Sequence, residues 1–182
     1  MNTKNNRRTA LTKRILQETL IELLQDYHIT EISVKKLTEE ADMSRSTFYA
    51  HYQNQMEVLR ELEEDTYERV HAFMMSGIRP SGKADSLQIF QQLLTFIKDN
   101  PRLFQVLLGQ NGSEDFQQKL MDLTEKAAIV GGYTTSPDHG KAYYEKVYRI
   151  AGCSRVIEDW IKRDFDQPIN SLARILLALS SE

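Results

Sequence analysis

The stretch from Ile32 to Leu59, ISVKKLTEEADMSRSTFYAHYQNQMEVL, contains two short helical patterns separated by a tight turn. Ser33 can cap a helix over residues 34–41, because a serine hydroxyl accepts a hydrogen bond from the free amides of a first helical turn. Ser44 can cap a second helix, over residues 45–51. Because only two residues separate the first helix from the second cap, the segment predicts a helix-turn-helix packed on a preceding helix.

The second of these helices has two chemically different faces. Phe48 and Tyr52 are four residues apart and share the face that would form a small core with the first helix. The opposite face carries no acidic residue and consists of Arg45, Ser46, Tyr49 and, beside them, Ala50. A guanidinium group can read guanine, hydroxyls can contact phosphate, and a small methyl group can contact the thymine methyl. This face predicts DNA contact; the alternative is a solvent-facing helix that only holds the fold.

The distribution of charge supports contact with a polyanion at one end of the molecule. The 182-residue chain has a formal net charge of −3, which alone argues against a dedicated nucleic-acid-binding protein. However, five basic residues and no acidic residue precede Glu18, namely Lys4, Arg7, Arg8, Lys13 and Arg14. A basic end on an acidic body is typical of a protein that touches a polyanion with that end only, although a solvated basic tip would look the same.

Helical spacing dominates the rest of the chain, and alternating strand patterns are nearly absent. Spacing and caps predict helices at about 9–26, 34–41, 45–51, 54–75, 101–108, 113–127, 142–165 and 169–179. A further helix is predicted to start at Ser86. Breaks rich in glycine and proline lie at 76–83 and 131–140. The sequence therefore predicts an all-α fold of about nine helices. Residues 1–53 would form a helix-turn-helix DNA-binding domain, and residues 54–182 a second, helical domain.

The segment from Ile32 to Leu59 resembles the DNA-binding segment of TetR-type (tetracycline-repressor-like) transcriptional regulators. The family pattern is a capped short helix, a turn, and a serine or similar residue followed by any two residues. Threonine, an apolar residue, tyrosine, any residue, histidine and an aromatic residue come next, and then a loop and a long helix. The positions that match it in order are Ser44, Thr47, Phe48, Tyr49, His51 and Tyr52. The match covers roughly residues 9–60, whereas the second half is similar to the family in helix count and length.

The resemblance implies a role for each matching position. Base edges would be read by Arg45, Ser46 and Ala50. Phosphates or nearby bases would be contacted by Thr47, Tyr49 and His51. The remaining DNA-binding candidates are Lys35 on the helix before the turn, Ser44, and Gln55 near the start of the fourth helix.

Two positions depart from the family pattern. Asp42 stands in the turn where the family usually has glycine, and aspartate tolerates the left-handed backbone conformation better than most residues. Gln55 stands where the family commonly has lysine, so a phosphate contact would be lost there. Such a loss would weaken DNA binding and flatten its dependence on salt.

The second half of the chain predicts a pocket and an interface. An effector cavity would be lined by the aromatic residues Phe90, Phe104, Phe116, Tyr144 and Tyr148, with ordinary helical core as the alternative for each. The last two helices carry more apolar surface than one small bundle needs, including Tyr144 and Tyr148. A dimer interface is therefore predicted at Gly152, Arg155, Trp160, Leu172, Ile175, Leu176 and Leu179.

The sequence contains no motif that indicates catalysis or a cofactor. The four histidines, His28, His51, His71 and His139, show no metal-ligand spacing, and no Ser-His-Asp arrangement or phosphate-binding glycine loop occurs. A single cysteine, Cys153, and the lack of a long apolar run favour a cytoplasmic protein without a membrane span.

The resemblance implies a homodimeric regulator of transcription that binds a pseudopalindromic operator in double-stranded DNA. Repression is the family's commoner activity, and a small-molecule effector that releases the DNA is an optional partner. Three alternatives stay open. The protein could be a transcriptional activator, a helical ligand-binding or adaptor protein with vestigial DNA binding, or an enzyme built on a helical bundle, which would need a metal or polar cluster in the second half.

Overall fold

A computed structural model describes residues 3–76, 86–109, 111–130 and 140–180 of the chain. This part of the chain contains α-helices and one short 3-10 turn at Ile29–Glu31, but no β-strand, which confirms the predicted all-α fold. The nine helices are α1 (Thr3–Leu23), α2 (Val34–Glu40), α3 (Arg45–Tyr49), α4 (Gln55–Ser76), α5 (Ser86–Asp99), α6 (Pro101–Leu107), α7 (Glu114–Val130), α8 (Lys141–Lys162) and α9 (Ile169–Ser180). Below, α1–α3 are called the reading head and α4–α9 the body.

Serine caps set the starts of three helices, as predicted. The hydroxyl of Ser33 accepts from the amide of Lys36, and that of Ser113 from the amide of Phe116, each at 3.1 Å. Ser44 caps α3 in the same way. Each hydroxyl pairs with an amide that has no partner inside its helix, which explains why each helix starts where it does. The break predicted at 131–140 lies outside the described residues, except for Gly140.

Several helix boundaries differ from the prediction; among them, α1 ends at Leu23 instead of about Asp26, and α7 continues to Val130 instead of ending at about Ala127. Helix α1 begins at Thr3 instead of Thr9, since the polar residues before Thr9 continue the helix without a breaker. Helix α8 ends at Lys162 instead of Phe165, because Asp164 and Phe165 have left-handed backbone angles, with φ of 53° and 61°. The Phe165 ring packs edge-on against Trp160 at 4.9 Å, a contact that the sequence pattern does not reveal.

One hydrophobic cluster joins the reading head to part of the body. Leu16 and Leu20 of α1, Leu37 of α2 and Phe48 of α3 are fully buried in it. Body residues belong to the same cluster, namely Val58, Leu59, Val106, Leu107 and Phe116. The reading head therefore packs directly on α4, α6 and the start of α7.

A second cluster forms the core of the body. It contains buried side chains from all six helices α4–α9, among them Val70, Leu94, Ile97, Phe104, Leu123, Trp160, Leu172 and Leu176. Phe73, Phe96 and Phe104 form a row of edge-to-face ring contacts, each with centroids 5.3 Å apart. Helices α4, α6 and α7 each contribute to both clusters, so all three connect the body core to the reading head.

The turn between α2 and α3 has the backbone conformation predicted for it. Asp42 adopts a left-handed conformation with φ of 48°. Most L-residues lose about 1–2 kcal/mol in this conformation, and aspartate is one of the few that visit it routinely. The turn can therefore form without the glycine of the family pattern.

Candidate nucleic-acid interface

The start of the reading helix α3 is held by hydroxyl groups. The Ser44 hydroxyl accepts a 3.1 Å hydrogen bond from the amide of Thr47. The same oxygen lies 2.9 Å from the hydroxyl of Ser46 and 2.8 Å from that of Thr47. Ser44 is exposed, yet its hydroxyl already has three neighbours inside the helix. Its structural role is to set the helix start and to orient the two hydroxyls beside it.

The two faces of α3 separate as the sequence predicts. Phe48 is fully buried and packs against Tyr52, with ring centroids 5.8 Å apart. Tyr49, the next residue, is 58% exposed and meets the Phe48 ring edge-on at 5.5 Å. Arg45, Ser46 and Ala50 are also exposed, whereas Thr47 and His51 are half-buried. A single apolar side chain thus anchors a helix whose other side is open.

No carboxylate in the described residues forms an ion pair with Arg45, and α3 itself contains no acidic residue. The guanidinium group of Arg45 is thus open to an external acceptor. Its five donors form a planar fork that fits two acceptors on one guanine edge or one phosphate. The exposed face of α3 is chemically suited to nucleic acid.

The end of the reading helix is fixed by a half-buried cluster that links α1 and α4. The Nζ atom of Lys13 donates to both carboxylate oxygens of Glu61, at 2.8 and 2.9 Å, and lies 5.2 Å from the centre of the Tyr52 ring. Burial, followed by the nearby Glu61 carboxylate, raises the pKa of the Tyr52 hydroxyl well above its usual value. The cluster keeps Tyr52 neutral and ties α1 to α4 beneath α3.

Lys13 belongs to the predicted basic N-terminal end, but its ammonium group forms an ion pair with Glu61 in the half-buried cluster. Arg14 lies 3.5 Å from Glu18 on the surface of the same helix. Arg7 and Arg8 are exposed on the first turns of α1. The side chain of Lys4 lies outside the described residues. The basic end is therefore a helix whose outward charges are Arg7, Arg8 and, in part, Arg14.

Lys35 and Gln55 lie on the elements beside the reading helix. Lys35 on α2 is exposed and lies 3.8 Å from Glu39, and so loose a surface pair leaves the lysine available to another anion. Gln55 is the first residue of α4 and is half-buried. The α4 start is capped by Asn54, whose Oδ1 accepts from the amide of Glu57 at 3.1 Å. The backbone N–H of Gln55 thus lies at the positive end of α4, where it can donate a hydrogen bond to a phosphate.

The five residues predicted to line an effector cavity are not brought together. Phe116 belongs to the cluster shared by head and body, whereas Phe104 is buried in the body core and Phe90 packs partly buried against it. Tyr144 and Tyr148 are 64% and 80% exposed on α8. In the described ranges these residues therefore belong to two hydrophobic cores and one exposed surface and do not line a single pocket.

A cleft of about 280 Å³ lies between α4 and α7. It is lined by Arg60, Glu61, Glu63, Glu64, Tyr67, Phe116 and Lys119. Burial raises the pKa of the Glu63 carboxyl above its usual value. Small-molecule pockets are usually lined by apolar side chains with a few polar groups, so the high density of charge makes this cleft unlike an ordinary effector pocket.

The predicted interface residues divide into inner and outer groups. Trp160, Leu172 and Leu176 are buried within the protomer, so they cannot directly contact a second chain. Ile175 and Leu179 are 44% and 53% exposed on α9. Arg155 is exposed and pairs with Glu158 at 2.9 Å. A Cβ atom added at Gly152 would meet nothing within 4 Å in the described structure, so this half-buried glycine faces open space.

Helix α8 carries an exposed apolar stripe. Tyr144, Val147, Tyr148 and Ala151 are spaced three and four residues apart, and all are exposed. With Ile175 and Leu179 of α9 they form what is called here the α8–α9 face. The sequence predicts Tyr144 and Tyr148 both as pocket residues and as part of an interface helix. Their exposure is what an interface residue of a separate protomer would show.

The described part of the chain contains no cluster of three or more histidine, cysteine, aspartate or glutamate side chains arranged to hold a metal ion. Within the same ranges, no helix combines the length and the apolar character needed to cross a lipid bilayer.

Comparisons with known proteins bear on the family and the fold of the chain. Residues 84–182 match the TetR_C_8 family model, described as a transcriptional regulator C-terminal region. The chain is similar in structure to a TetR transcriptional regulator from Streptococcus agalactiae 2603V, with a TM-score of 0.69, 21% identity and 98% of each chain covered.

Two further solved structures share the fold. The fatty acid degradation regulator FadR from Bacillus halodurans has a TM-score of 0.68 and 13% identity, covering 93% of this chain and 95% of its own. The dihydroxyacetone kinase operon activator DhaS has a TM-score of 0.59 and 19% identity, covering 93% of this chain and 94% of its own. No curated protein matches the chain in sequence.

Proposed function

The chain belongs to the TetR family of transcriptional regulators, a family of non-enzymatic proteins, and from this membership we propose that it binds a specific DNA operator as a homodimer. The observation that carries the proposal is the exposed face of α3, which presents Arg45, Ser46 and Tyr49 around a single buried anchor, Phe48. A helix with one open face of donors, without carboxylates, suits the major groove of DNA.

The positions on this face have different roles in the proposal. Arg45, Ser46 and Ala50 read base edges, because they lie on the exposed side of α3. Thr47, Tyr49 and His51 contact the backbone, and their hydroxyl and imidazole groups can donate to phosphate. Lys35, Gln55 and the outward-facing arginines of α1 add phosphate contacts on either side. These contacts supply affinity without sequence preference.

The test of sequence-specific binding is selection from a pool of random DNA. We expect the bound fraction to converge on a two-fold symmetric site whose half-sites are separated by roughly one helical turn, about 10 base pairs or slightly more. Equal weak binding to all sequences, with a salt dependence set only by the α1 arginines, would contradict the proposal. That outcome would favour a helical ligand-binding or adaptor protein with vestigial DNA binding.

We propose that a second copy of the chain covers the α8–α9 face. The face combines exposed Tyr144, Val147 and Tyr148 with Ile175 and Leu179, and an apolar stripe of this kind on adjacent helices commonly marks an interaction site. Gly152, with open space above it, lets the partner's helices approach closely. A two-fold pairing of α8 and α9 would form a four-helix interface and place two reading heads for a symmetric operator.

The combined substitution of Tyr148 and Leu179 by glutamate is expected to dissociate the dimer, because it buries two charges per protomer in an apolar interface. Light scattering after size-exclusion chromatography should show a mass near 21.1 kDa for the variant and twice that for the wild type. Leu11→Glu is the matched control, since Leu11 is 49% exposed on α1, and it should remain dimeric. A wild-type monomer, or a variant that stays dimeric, would contradict the proposed interface.

The proposed division of labour places DNA binding in residues 1–53 and effector binding and dimerisation in residues 54–182. An effector, if present, would bind the body and shift α4, which changes the separation of the two heads. Coupling of about 1–3 kcal/mol would change the affinity for DNA roughly 5- to 150-fold.

We propose that the protein acts in the cytoplasm as a repressor. A dimer bound to a promoter can block transcription with only its two reading heads and its dimer face, so repression needs no further contact. The similar protein DhaS is described as an operon activator. A reporter gene placed behind the selected operator therefore provides the test. Expression should fall when the protein is produced, and a rise would identify an activator.

A further inference from the structure

The C-terminal end of α1 is held by a side chain from the turn between α6 and α7. The last carbonyl groups of a helix have no partner inside the helix. Leu24 follows α1 and is buried, and its backbone carbonyl accepts a 2.8 Å hydrogen bond from Nδ2 of Asn111. Because a carbonyl oxygen can only accept, the amide nitrogen of Asn111, and not its oxygen, must face Leu24.

The described residues near Asn111, Gly109 and Gly112, lie close to α6 and α7. The Nε2 atom of Gln117 donates to the carbonyls of Leu107 and Gly109, each at 3.2 Å, and ties the turn to α7. A side chain at Gly112 would clash with the backbone of Leu107, so α6 and the turn approach each other more closely than another residue would allow. Asn111 therefore reaches the end of α1 from beside Gly112, which lies close to α6.

The same region connects the two cores. Val106 and Leu107 of α6 belong to the cluster shared with the reading head, whereas Phe104 belongs to the body core. In the described residues the other polar ties between the end of α1 and α6 are exposed, whereas the half-buried Lys13–Glu61 pair ties α1 to α4 elsewhere. Gln25 donates to the carbonyl of Arg102 at 3.2 Å, and Arg102 lies 3.5 Å from Glu22. Exposed pairs of this kind contribute little, so the half-buried bond from Asn111 is the stronger polar tie at this junction.

We propose that Asn111 is a positioning residue that, together with the Lys13–Glu61 pair on the α4 side, fixes the angle between the reading head and the body. Apolar contacts between α1 and α6 are non-directional and permit small rotations. A short hydrogen bond to a backbone carbonyl is directional, so it selects one orientation. In a dimer that orientation sets the separation of the two reading helices, a consequence that rests on the proposed function.

The orientation can be measured without DNA. Spin labels are placed at Glu40→Cys on α2 of the head and Lys98→Cys on α5 of the body, both exposed sites, in a Cys153→Ser background. An excess of unlabelled protein removes distances between protomers. Pulsed electron paramagnetic resonance should give a narrow distance distribution for this protein. Asn111→Asp, which keeps the shape but replaces the donor with an acceptor, should broaden or shift it.

The control is Gln118→Ala. The amide of Gln118 on α7 bonds only within its own helix among the described residues, to Asp122 at 2.8 Å, so the distribution should not change. If Asn111→Asp fails to fold, the distance distribution of Asn111→Ala tests the proposal instead, since this variant removes the donor without adding a charge. An unchanged distribution in a folded Asn111 variant, even with reduced thermal stability, would overturn the proposal. Failure of both variants to fold would also overturn it, because positioning requires that head and body fold without the bond.

A DNA-binding readout connects the measurement to function. The wild type should discriminate between its selected operator and one whose half-sites are moved apart by one base pair. In Asn111→Ala this discrimination should fall by about fivefold, the effect of one typical net hydrogen bond. If the wild type binds no specific operator, the proposed function fails, but the distance measurement still decides the role of Asn111.

Discussion

Replacement of Arg45 by alanine is expected to lower affinity for the selected operator by roughly 30-fold or more. A bidentate arginine–guanine contact contributes about 1–3 kcal/mol of discrimination, and a homodimer would lose two of them. The residue is exposed on α3, and no carboxylate of the described chain pairs with it, so the change should not disturb the fold. Fluorescence anisotropy with labelled operator at fixed salt measures the loss.

The matched control removes the same charge from a distant surface. Arg163 follows α8 and pairs with Asp159 at 2.7 Å on the body, so Arg163→Ala should bind the operator almost as tightly as the wild type. Binding to unrelated DNA should change much less than binding to the operator in the Arg45 variant, because phosphate contacts elsewhere remain. Equal losses on operator and unrelated DNA would show that Arg45 contacts only phosphate.

Replacement of Phe48 by alanine is expected to destabilise the protein by about 3–5 kcal/mol, the usual cost of removing a buried phenylalanine ring. Phe48 is fully buried and contacts Tyr52, and it belongs to the cluster that also includes residues of α6 and α7. In a chain of this size the change corresponds to a fall of roughly 6–20 °C in the melting temperature. Thermal unfolding followed by circular dichroism measures it.

The neighbouring residue provides the control for this substitution. Tyr49→Ala removes a ring that is 58% exposed, so the melting temperature should change little, while binding to DNA should weaken through loss of a backbone contact. The two variants should therefore separate stability from DNA binding at adjacent positions. A large loss of stability in Tyr49→Ala, or none in Phe48→Ala, would mean that α3 packs on its opposite face.

Local patterns in the sequence were sufficient for much of the reading head. Serine caps at Ser33 and Ser44 depend only on the next few residues, and their hydrogen bonds form as predicted. The faces of α3 follow from the four-residue spacing of Phe48 and Tyr52. The left-handed turn at Asp42 could also be predicted, because few residues other than glycine tolerate that conformation.

Contacts between distant parts of the chain could not be predicted. Lys13 and Glu61 are 48 residues apart, and Asn111 and Leu24 are 87 apart, so no periodicity links them. The sequence predicts Trp160 at an interface because the last two helices carry more apolar surface than one small bundle needs. Only packing against Phe165, together with the bond from its indole nitrogen to the carbonyl of Gln167 at 2.9 Å, shows that it faces inward.

The core shared by head and body limits how DNA specificity could be redesigned. A graft of residues 1–53 onto another regulator would leave Leu16, Leu20 and Leu24 without the α6 and α7 side chains that cover them here. The head is therefore a poor module for transplantation as a unit. Exchanging only the outward side chains at Arg45, Ser46 and Ala50 would keep Phe48 and its neighbours packed, so new operators are more accessible through surface substitutions than through chimaeras.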